Sequence, residues 1–354
     1  MSRFFSKKYK GLVPYTPGEQ PKERKYIKLN TNESPFPPSE LAQKMAAEAA
    51  KRLMLYPDPD CRELTATLSE LIGVSNDEIV WTNGSDDVLN FAFMAFCDDE
   101  LPAIFPDITY GFYSVFAEAN RIPYEMIPLN EEFTIPLEEF KRKKGTVFIA
   151  NPNAPTGIAL TVKEIEELLQ SDPDRVVVVD EAYVDFGAET CIPLFHQYDN
   201  LLVTQTFSKS RSMAGARLGF AVGSKDLIAD LHTIRYATNP YNINSMTMSA
   251  GIGVLRDEAY TRKNCASIIE NRVYTSQELI KMGFEMTPSM ANFIFVKHPL
   301  ISGETLYASL KEKGILVRYF NKPRISEYCR ITIGSREEMN ELLKQIQIVL
   351  EELL

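Results

Sequence analysis

The sequence contains few of the residues that build metal centres and disulfide frameworks. Among 354 residues there are five cysteines and three histidines. The cysteines are scattered, odd in number and form no C-x-x-C pair, which indicates reduced thiols and no structural zinc. The histidines have no spacing typical of metal ligands. We therefore predict a cytoplasmic protein with no metal site.

Long hydrophobic runs and an excess of positive charge are also missing. No run reaches the roughly 18 apolar residues that a membrane-spanning helix needs, and the first ten residues lack the apolar stretch of a signal peptide. The net charge of −10 argues against non-specific binding to nucleic acids, which requires a basic surface. We predict a soluble protein that binds neither membranes nor nucleic acids. Any anionic ligand must then be held by a local cluster of arginines.

Strand-like and helix-like segments alternate between residues 100 and 240. The run of four valines at 176–179 has no polar alternation, which is typical of a strand covered on both faces. The pattern predicts an α/β fold in which helices cover a mainly parallel sheet and ligands bind at the carboxyl ends of the strands.

The pattern changes on both sides of this region. Residues 1–36 lack periodicity and are rich in proline, lysine and tyrosine, which predicts an extended arm. A helix capped by Ser39 follows the arm. A helical stretch over about 244–282, broken once, leads into shorter strands and helices, among them a single strand at 315–318. We predict a large domain at 37–243 and a smaller α+β domain at 244–354, to which the arm contributes.

A lysine, Lys209, follows a predicted buried strand in a segment dense in hydroxyl groups. Lysines mostly lie on solvated surfaces. A lysine held in a pocket can have a lowered pKa and can form a Schiff base with an aldehyde. Eight residues on, Arg217 can hold an anion through a two-pronged contact. A lysine for an aldehyde, with hydroxyls and an arginine for a phosphate, points to pyridoxal phosphate.

Two more loops follow predicted strands of the same sheet. One begins with Asn151, and the other contains Asp180 and Tyr183. The cofactor acts as an electron sink when an acid partner protonates its pyridine nitrogen, and Asp180 is the candidate. Asn151 and Tyr183 can donate hydrogen bonds to its phenolic oxygen. Taken singly, these residues are also consistent with a capping asparagine, a solvated aspartate and a packed tyrosine.

A strand, a glycine turn and a helix start meet at residues 78–95. Free backbone N–H groups and the positive end of a helix dipole converge at such a point and bind anions. Gly84, Ser85 and Asp86 form this turn. By themselves they are also an ordinary helix cap.

These motifs resemble those of the fold-type-I pyridoxal-phosphate aminotransferases. They are N-P-N-x-P-T-G from Asn151, D-E-A-Y from Asp180, and T-x-S-K ending at Lys209. L-x-P-Y-x-P-G, L-N-x-N-E-S-P and C-R-I-T-I-G extend the resemblance over nearly the whole chain. As a set the motifs are similar to those of the histidinol-phosphate aminotransferase family. Ala154 stands where that family often has a second asparagine, a departure that we expect to be tolerated.

The resemblance implies a role for each matched residue. The implied catalytic residues are Lys209, Asp180 and Tyr183, with Lys209 as the Schiff-base lysine and proton carrier. The residues implied to hold the cofactor are Gly84, Ser85, Asp86, Tyr110, Asn151, Asp180, Tyr183, Thr206, Ser208, Lys209, Arg217 and, from the neighbouring subunit of a homodimer, Tyr56. Those implied to bind the substrate are Tyr15, Asn32, Arg318 and Arg330. Apart from the resemblance, Arg318 and Arg330 are cations that end two predicted strands, and a surface role for Arg318 stays open.

The implied reaction is transamination of L-histidinol phosphate with 2-oxoglutarate to imidazole acetol phosphate and L-glutamate, in histidine biosynthesis. Two related pyridoxal-phosphate activities stay open, those of an aromatic amino acid aminotransferase and a threonine-phosphate decarboxylase. They share the cofactor residues and differ in substrate contacts that spacing does not reveal. A different class, a non-enzymatic regulator that senses the cofactor, needs a fused DNA-binding module, and the sequence has no basic arm that predicts one.

Overall fold

The computed structural model describes residues 2–21 and 23–353. Its strands are β1 (Ile27–Lys28), β2 (Ile79–Thr82), β3 (Ala103–Pro106), β4 (Tyr124–Ile127), β5 (Thr146–Ala150), β6 (Val177–Asp180), β7 (Leu201–Thr206), β8 (Gly219–Gly223), β9 (Glu285–Met286), β10 (Phe293–Lys297), β11 (Ile315–Leu316), β12 (Arg318–Tyr319) and β13 (Cys329–Thr332). Its α-helices are α1 (Glu40–Ala50), α2 (Arg62–Ile72), α3 (Ser85–Phe96), α4 (Phe112–Asn120), α5 (Leu137–Lys141), α6 (Val162–Ser171), α7 (Lys225–Thr238), α8 (Ser245–Arg256), α9 (Glu258–Lys281), α10 (Gly303–Glu312) and α11 (Arg336–Leu353).

A seven-stranded sheet with the strand order β2-β8-β7-β6-β5-β3-β4 forms the centre of the fold. Strand β8 is antiparallel to both of its neighbours, and all the other neighbouring pairs are parallel. Helices pack on both faces of the sheet. The predicted fold class, a mainly parallel α/β sheet covered by helices, is therefore confirmed.

The two faces of this sheet belong to two separate hydrophobic clusters. Successive side chains of a strand point to opposite faces, and in β6 Val177 and Val179 pack into one cluster while Val178 packs into the other. The first cluster includes side chains of α2, α6 and α8, and the second includes side chains of α3, α4 and α7. Burial on both sides explains why β6 consists of valines without polar alternation.

A second group of elements follows α8. A four-stranded antiparallel sheet has the order β12-β13-β10-β9, and α9, α10 and α11 pack with it around a separate hydrophobic cluster. Near the amino end, β1 pairs in parallel with β11, and Leu29 is buried in the same cluster. The arm thus contacts the carboxyl-terminal elements, whereas the predicted domain boundaries stay a prediction.

Several predicted elements differ in detail from those observed. The predicted single strand at 315–318 is two strands, because the chain passes from the pair with β1 to the four-stranded sheet at Val317. The predicted break in the helical stretch lies at Asp257, between α8 and α9. Ser39 caps α1 as expected, since its hydroxyl accepts a hydrogen bond from the backbone N–H of Ala42. Throughout residues 2–21 and 23–353, every helix is too short or too polar to span a membrane.

Candidate active site

A cavity of about 370 Å³ opens at the carboxyl ends of β5, β6 and β7. These strands are adjacent and in register, with Ala150 opposite Asp180 and Asp180 opposite Thr204. The loops that follow them therefore meet at one edge of the sheet. Nine of the predicted residues line the cavity: Ser85, Asp86, Tyr110, Asp180, Tyr183, Thr206, Ser208, Lys209 and Arg217.

The amine of Lys209 reaches into this cavity from the loop after β7. Its Nζ donates a hydrogen bond to the backbone carbonyl of Thr31 at 3.1 Å. Burial, together with the nearby cation of Arg330, lowers the pKa of Lys209 to about 8, although Glu33 and Asp86 act in the opposite direction. About half of such amines are neutral at pH 8 and can attack an aldehyde.

Asp180 lies at the floor of the cavity, where β6 ends. Its carboxylate accepts hydrogen bonds from the Tyr113 hydroxyl at 3.3 Å and from the backbone N–H of Ala182 at 3.2 Å. Burial and then the charge of Asp86 raise the pKa of Asp180 to about 7, against the effect of these two donors. A buried carboxylate with so little compensation favours an additional N–H or cationic partner. A pyridine nitrogen that shares its proton with Asp180 would supply one.

Anion-binding groups of the cavity meet at the start of α3. The Arg217 guanidinium lies 2.8 Å from the Asp86 carboxylate and 3.3 Å from the Ser208 hydroxyl. The Thr206 hydroxyl donates to Ser208 at 3.0 Å. Backbone N–H groups at a helix start, two hydroxyls and an arginine are suited to hold a phosphate.

Gly84 makes this close packing possible. It has a positive φ of 84°, and a Cβ atom on it would lie 2.6 Å from the Arg217 guanidinium. Any other residue at this position would force the arginine away from the start of α3. The local structure therefore fits a phosphate at this point.

The structure refines the prediction for Asp86. Its carboxylate already accepts a hydrogen bond from the Tyr110 hydroxyl at 2.6 Å and pairs with Arg217. A carboxylate would repel a phosphate, so only the backbone N–H of Asp86 can contact one directly. The side chain instead orients Arg217 and Tyr110.

Asn151, predicted to reach the phenolic oxygen of the cofactor, does not line the cavity. Its amide donates to the backbone carbonyl of Leu160 at 3.1 Å and accepts from the Leu160 N–H at 2.8 Å. Both ends of the amide thus hold its own loop together. The residue of this loop that lines the cavity is Ala154, which carries no donor. The structure therefore corrects the prediction that the Asn151 side chain faces the cofactor. The departure at Ala154 lies in the cavity wall itself, where it leaves this loop without a side-chain donor.

Asn32, predicted to bind substrate, is buried with 1% of its surface exposed. Its amide nitrogen donates to the Tyr183 hydroxyl at 2.9 Å, and its amide oxygen accepts from the Thr332 hydroxyl at 3.1 Å. The side chain is therefore not free to contact a substrate, and it supports Tyr183 from behind.

The two predicted substrate arginines lie side by side. Arg318 and Arg330 are direct cross-strand neighbours on β12 and β13. Like charges in such positions repel each other, and the Nε of Arg330 is buried without a hydrogen-bond partner in the described part of the chain. Burial lowers the pKa of Arg330, and the charge of Arg318 acts in the same direction. An anion between the two guanidinium groups would compensate their repulsion, offer an acceptor to the Arg330 Nε and raise the pKa of Arg330 again.

Tyr15 and Arg318 connect the arm to this region. The Tyr15 ring stacks on Phe112 with the centroids 4.2 Å apart. Arg318 donates to the backbone carbonyls of Thr16 and Pro17 at 3.2 and 3.4 Å. The arm thus contacts both α4 and β12, and in this position it can cover a ligand bound by the arginines.

Tyr56 is not among the residues that line the cavity of its own chain. Its ring is 81% exposed and stacks on Tyr241 with the centroids 4.6 Å apart. The structure of one chain therefore does not bring Tyr56 to the site, in keeping with the prediction that it serves a neighbouring subunit.

Several residues of the site were not predicted from the sequence. Glu33 lines the cavity beside Lys209, Tyr113 donates to Asp180, and Thr332 holds Asn32. Tyr113 lies three residues after Tyr110 at the start of a helix, and this spacing was the available signal. No local pattern marks Thr332, because its partner is distant in sequence.

A family model described as "Aminotransferase class I and II" matches residues 24–346. This chain belongs to that family. Similar curated members include a histidinol-phosphate aminotransferase of Clostridium beijerinckii, 45% identical over 351 residues, which are 99% of this chain and 98% of the relative. Another, of Brachyspira hyodysenteriae, is 46% identical over 353 residues, which are 99% of this chain and 100% of the relative.

Solved structures of aminotransferases have the same fold. The histidinol-phosphate aminotransferase of Sinorhizobium meliloti, in complex with pyridoxal-5'-phosphate, superposes with a TM-score of 0.85 at 22% identity, over 94% of this chain and 93% of that one. The L-threonine-O-3-phosphate decarboxylase of Porphyromonas gingivalis superposes with a TM-score of 0.80 at 23% identity, over 92% and 99% of the two chains. The fold therefore does not by itself select the substrate.

Membership of the aminotransferase family confirms the predicted reaction class and the predicted cofactor, pyridoxal phosphate. The chemistry of the cavity fits this group at three points. The buried carboxylate of Asp180, the amine of Lys209 and the anion-binding start of α3 correspond to the ring nitrogen, the aldehyde and the phosphate of the cofactor.

Proposed function

We propose that this chain catalyses transamination of L-histidinol phosphate with 2-oxoglutarate, forming imidazole acetol phosphate and L-glutamate in histidine biosynthesis. The observation that carries the choice of substrate is the cross-strand pair Arg318 and Arg330, of which Arg330 is near enough to lower the pKa of Lys209. A phosphomonoester has nearly two negative charges and is better matched by two arginines than by one. The names of the full-length relatives at 45% identity support the same choice.

Different residues of the cavity bind different parts of the cofactor. When bound, the cofactor supplies an electron sink for the substrate carbon that bears the amino group. Asp180 holds a proton against the ring nitrogen, and Tyr183 donates to the phenolic oxygen. Tyr110 covers the ring. The phosphate is held by the start of α3 from Gly84 to Asp86, with Thr206, Ser208 and Arg217.

Lys209 moves the proton of the reaction. Its lowered pKa, about 8, leaves a neutral amine that would accept a proton from the substrate carbon bearing the amino group. The same amine would then deliver this proton to the cofactor carbon that carried the aldehyde. Arg330 and Arg318 hold the substrate phosphate, and Tyr15 closes over it. The five free, buried cysteines are consistent with action in the reducing cytoplasm.

A substrate panel tests this proposal. The cofactor-loaded protein is offered L-histidinol phosphate, L-phenylalanine or L-threonine phosphate, and the change in the cofactor's visible spectrum is followed with product formation. We expect the highest kcat/KM with histidinol phosphate and regeneration by 2-oxoglutarate. Carbon dioxide release from threonine phosphate without amino transfer would identify a decarboxylase instead.

The same assay tests the arginine pair through Arg330→Lys. Lysine keeps the charge but loses the two-pronged contact, so kcat/KM for histidinol phosphate should fall by about 10- to 100-fold. L-Histidinol, which lacks the phosphate and has no carboxylate that the arginine could bind instead, should be affected less. Arg256→Lys, on an exposed ion pair with Glu63, is the matched control. Equal losses of kcat/KM for both substrates would show that Arg330 does not bind the substrate phosphate.

We further propose that the chain forms a homodimer through the segment Leu53–Tyr56. Met54, Leu55 and Tyr56 are 81%, 65% and 81% exposed, and contiguous apolar surface of this kind is rare unless a partner covers it. In the dimer Tyr56 reaches the neighbouring cavity. Met54→Glu should shift the sedimenting mass from dimer towards monomer and reduce turnover, whereas Ile280→Glu, also on an exposed apolar residue, should do neither. A stable dimer of Met54→Glu would exclude this surface.

A further inference from the structure

The Tyr183 hydroxyl is held from behind by Asn32. The Asn32 amide nitrogen donates to it at 2.9 Å. A tyrosine hydroxyl has one proton to donate, and within residues 2–21 and 23–353 no group accepts it. Because the Asn32 amide occupies the accepting side of the oxygen, the Tyr183 proton is left to point into the cavity that its side chain lines.

Asn32 in turn is fixed by Thr332 on β13. The Asn32 backbone N–H donates to the Thr332 oxygen at 3.0 Å. The threonine oxygen therefore accepts there, and its own proton is free for the Asn32 amide oxygen at 3.1 Å. These two hydrogen bonds fix the orientation of the Asn32 amide. Because the amide oxygen accepts from Thr332, the amide nitrogen must face Tyr183. The positive φ of 57° at Asn32 is one that asparagine tolerates better than most residues.

The loop at 151–157 brings no side-chain donor to the cavity. Ala154 lines it with a methyl group, and the amide of Asn151 is engaged with Leu160. A ligand oxygen beside this loop therefore receives no hydrogen bond from it, and the Tyr183 hydroxyl is the donor that remains for the role expected of Asn151.

We propose that Asn32 and Thr332 are positioning residues that direct the Tyr183 proton to the phenolic oxygen of pyridoxal phosphate, and that Ala154 leaves this oxygen with Tyr183 as its side-chain donor. The inference rests on the proposed function only in so far as the chain binds this cofactor. It does not depend on which amine is the substrate.

The pH response of the cofactor-loaded protein reports this donor directly. The phenolic oxygen attracts the proton held on the Lys209 nitrogen, and a hydrogen bond from Tyr183 weakens that attraction. With the donor in place the nitrogen loses its proton at a lower pH. Removing or misdirecting the donor must raise the midpoint pH of the visible absorbance change.

The experiment measures that midpoint without any substrate. Tyr183→Phe sets the reference shift. Asn32→Gly, chosen because glycine tolerates the φ of 57°, and Thr332→Val should each raise the midpoint by about half to one pH unit. Thr332→Ser keeps the hydroxyl and should restore the original midpoint. Asn271→Ala removes another buried amide, bonded to the Gly334 carbonyl, and should leave the midpoint unchanged.

A double variant decides whether Asn32 acts through Tyr183. In the Tyr183→Phe protein, Asn32→Gly should add no further shift, because the donor that it positions is already gone. Additive shifts, or an unchanged midpoint in both Asn32→Gly and Thr332→Val, would overturn the proposal. Failure to convert histidinol phosphate in the substrate panel would leave the midpoints measurable and would count against the proposed substrate alone.

Discussion

Lys209→Ala is expected to reduce turnover by at least about 10⁴-fold, because it removes both the amine that binds the cofactor and the group that carries the proton. The purified protein should lose its yellow colour, and borohydride reduction should no longer attach the cofactor covalently. Steady-state kinetics and mass spectrometry of the reduced protein check the two parts separately. Lys225→Ala, on an exposed ion pair with Asp77, should retain turnover and label.

The same lysine predicts how the cofactor-free protein takes up pyridoxal phosphate. Its pKa of about 8 is lowered by burial and by Arg330, so the reactive neutral amine increases as the pH rises through 8. Uptake followed by absorbance should accelerate from pH 7 to pH 9. Turnover that persists in Lys209→Ala, or a label found on another lysine, would contradict the central assignment.

Asp180→Asn is expected to cost about 10³-fold in kcat while leaving the fold intact. Breaking a buried charged pair costs roughly 3–5 kcal/mol, which corresponds to a factor of this order in rate. Asparagine has the same shape but cannot hold a proton against the ring nitrogen. Rapid measurement of the first half-reaction with histidinol phosphate separates this loss from weaker cofactor binding.

In the cofactor-free protein, Asp180→Asn should not lower thermal stability, although it lowers kcat. The folded-state pKa of Asp180, about 7, lies above its ordinary value, so the folded state binds the extra proton and loses stability as the pH rises from about 4 through 7. The asparagine variant lacks this loss, and its Tm at pH 8 should equal or exceed that of the parent. A large fall in Tm would instead indicate a structural role for Asp180.

Glu181→Gln is the matched control for this experiment. The neighbouring Glu181 is also buried, and its pKa is likewise raised to about 7. It accepts hydrogen bonds from Thr190 and Gln205 and does not line the cavity. Its replacement should leave turnover per folded molecule close to that of the parent.

The location of the site could be predicted from the sequence because it depends on local signals. Val177–Asp180 is recognisable as a buried strand, and a polar residue directly after such a strand lies at the sheet edge where ligands bind. Lys209 and Asp180 follow neighbouring strands of one register. Their meeting in one cavity then follows from the parallel arrangement alone.

The orientation of individual side chains could not be predicted in this way. The motif at 151–157 identifies a loop, but whether Asn151 or Ala154 faces the cavity depends on the hydrogen bonds with Leu160. A substrate role for Asn32 is implied only by the resemblance, and its hydrogen-bond partner Thr332 lies at the other end of the sequence. Contacts between such distant positions leave no periodic trace in a single sequence.

The pairing of β1 with β11 has a consequence for how the chain is made. Ile27 leaves the ribosome early, but its partner Ile315 follows only when most of the polypeptide has been synthesised, at roughly 5–20 residues per second. During that interval Leu29 lacks the cluster in which it is finally buried, which includes Phe293 and Ile331. The nascent chain therefore carries an unpaired strand and an exposed apolar side chain until β11 and its neighbours have been synthesised.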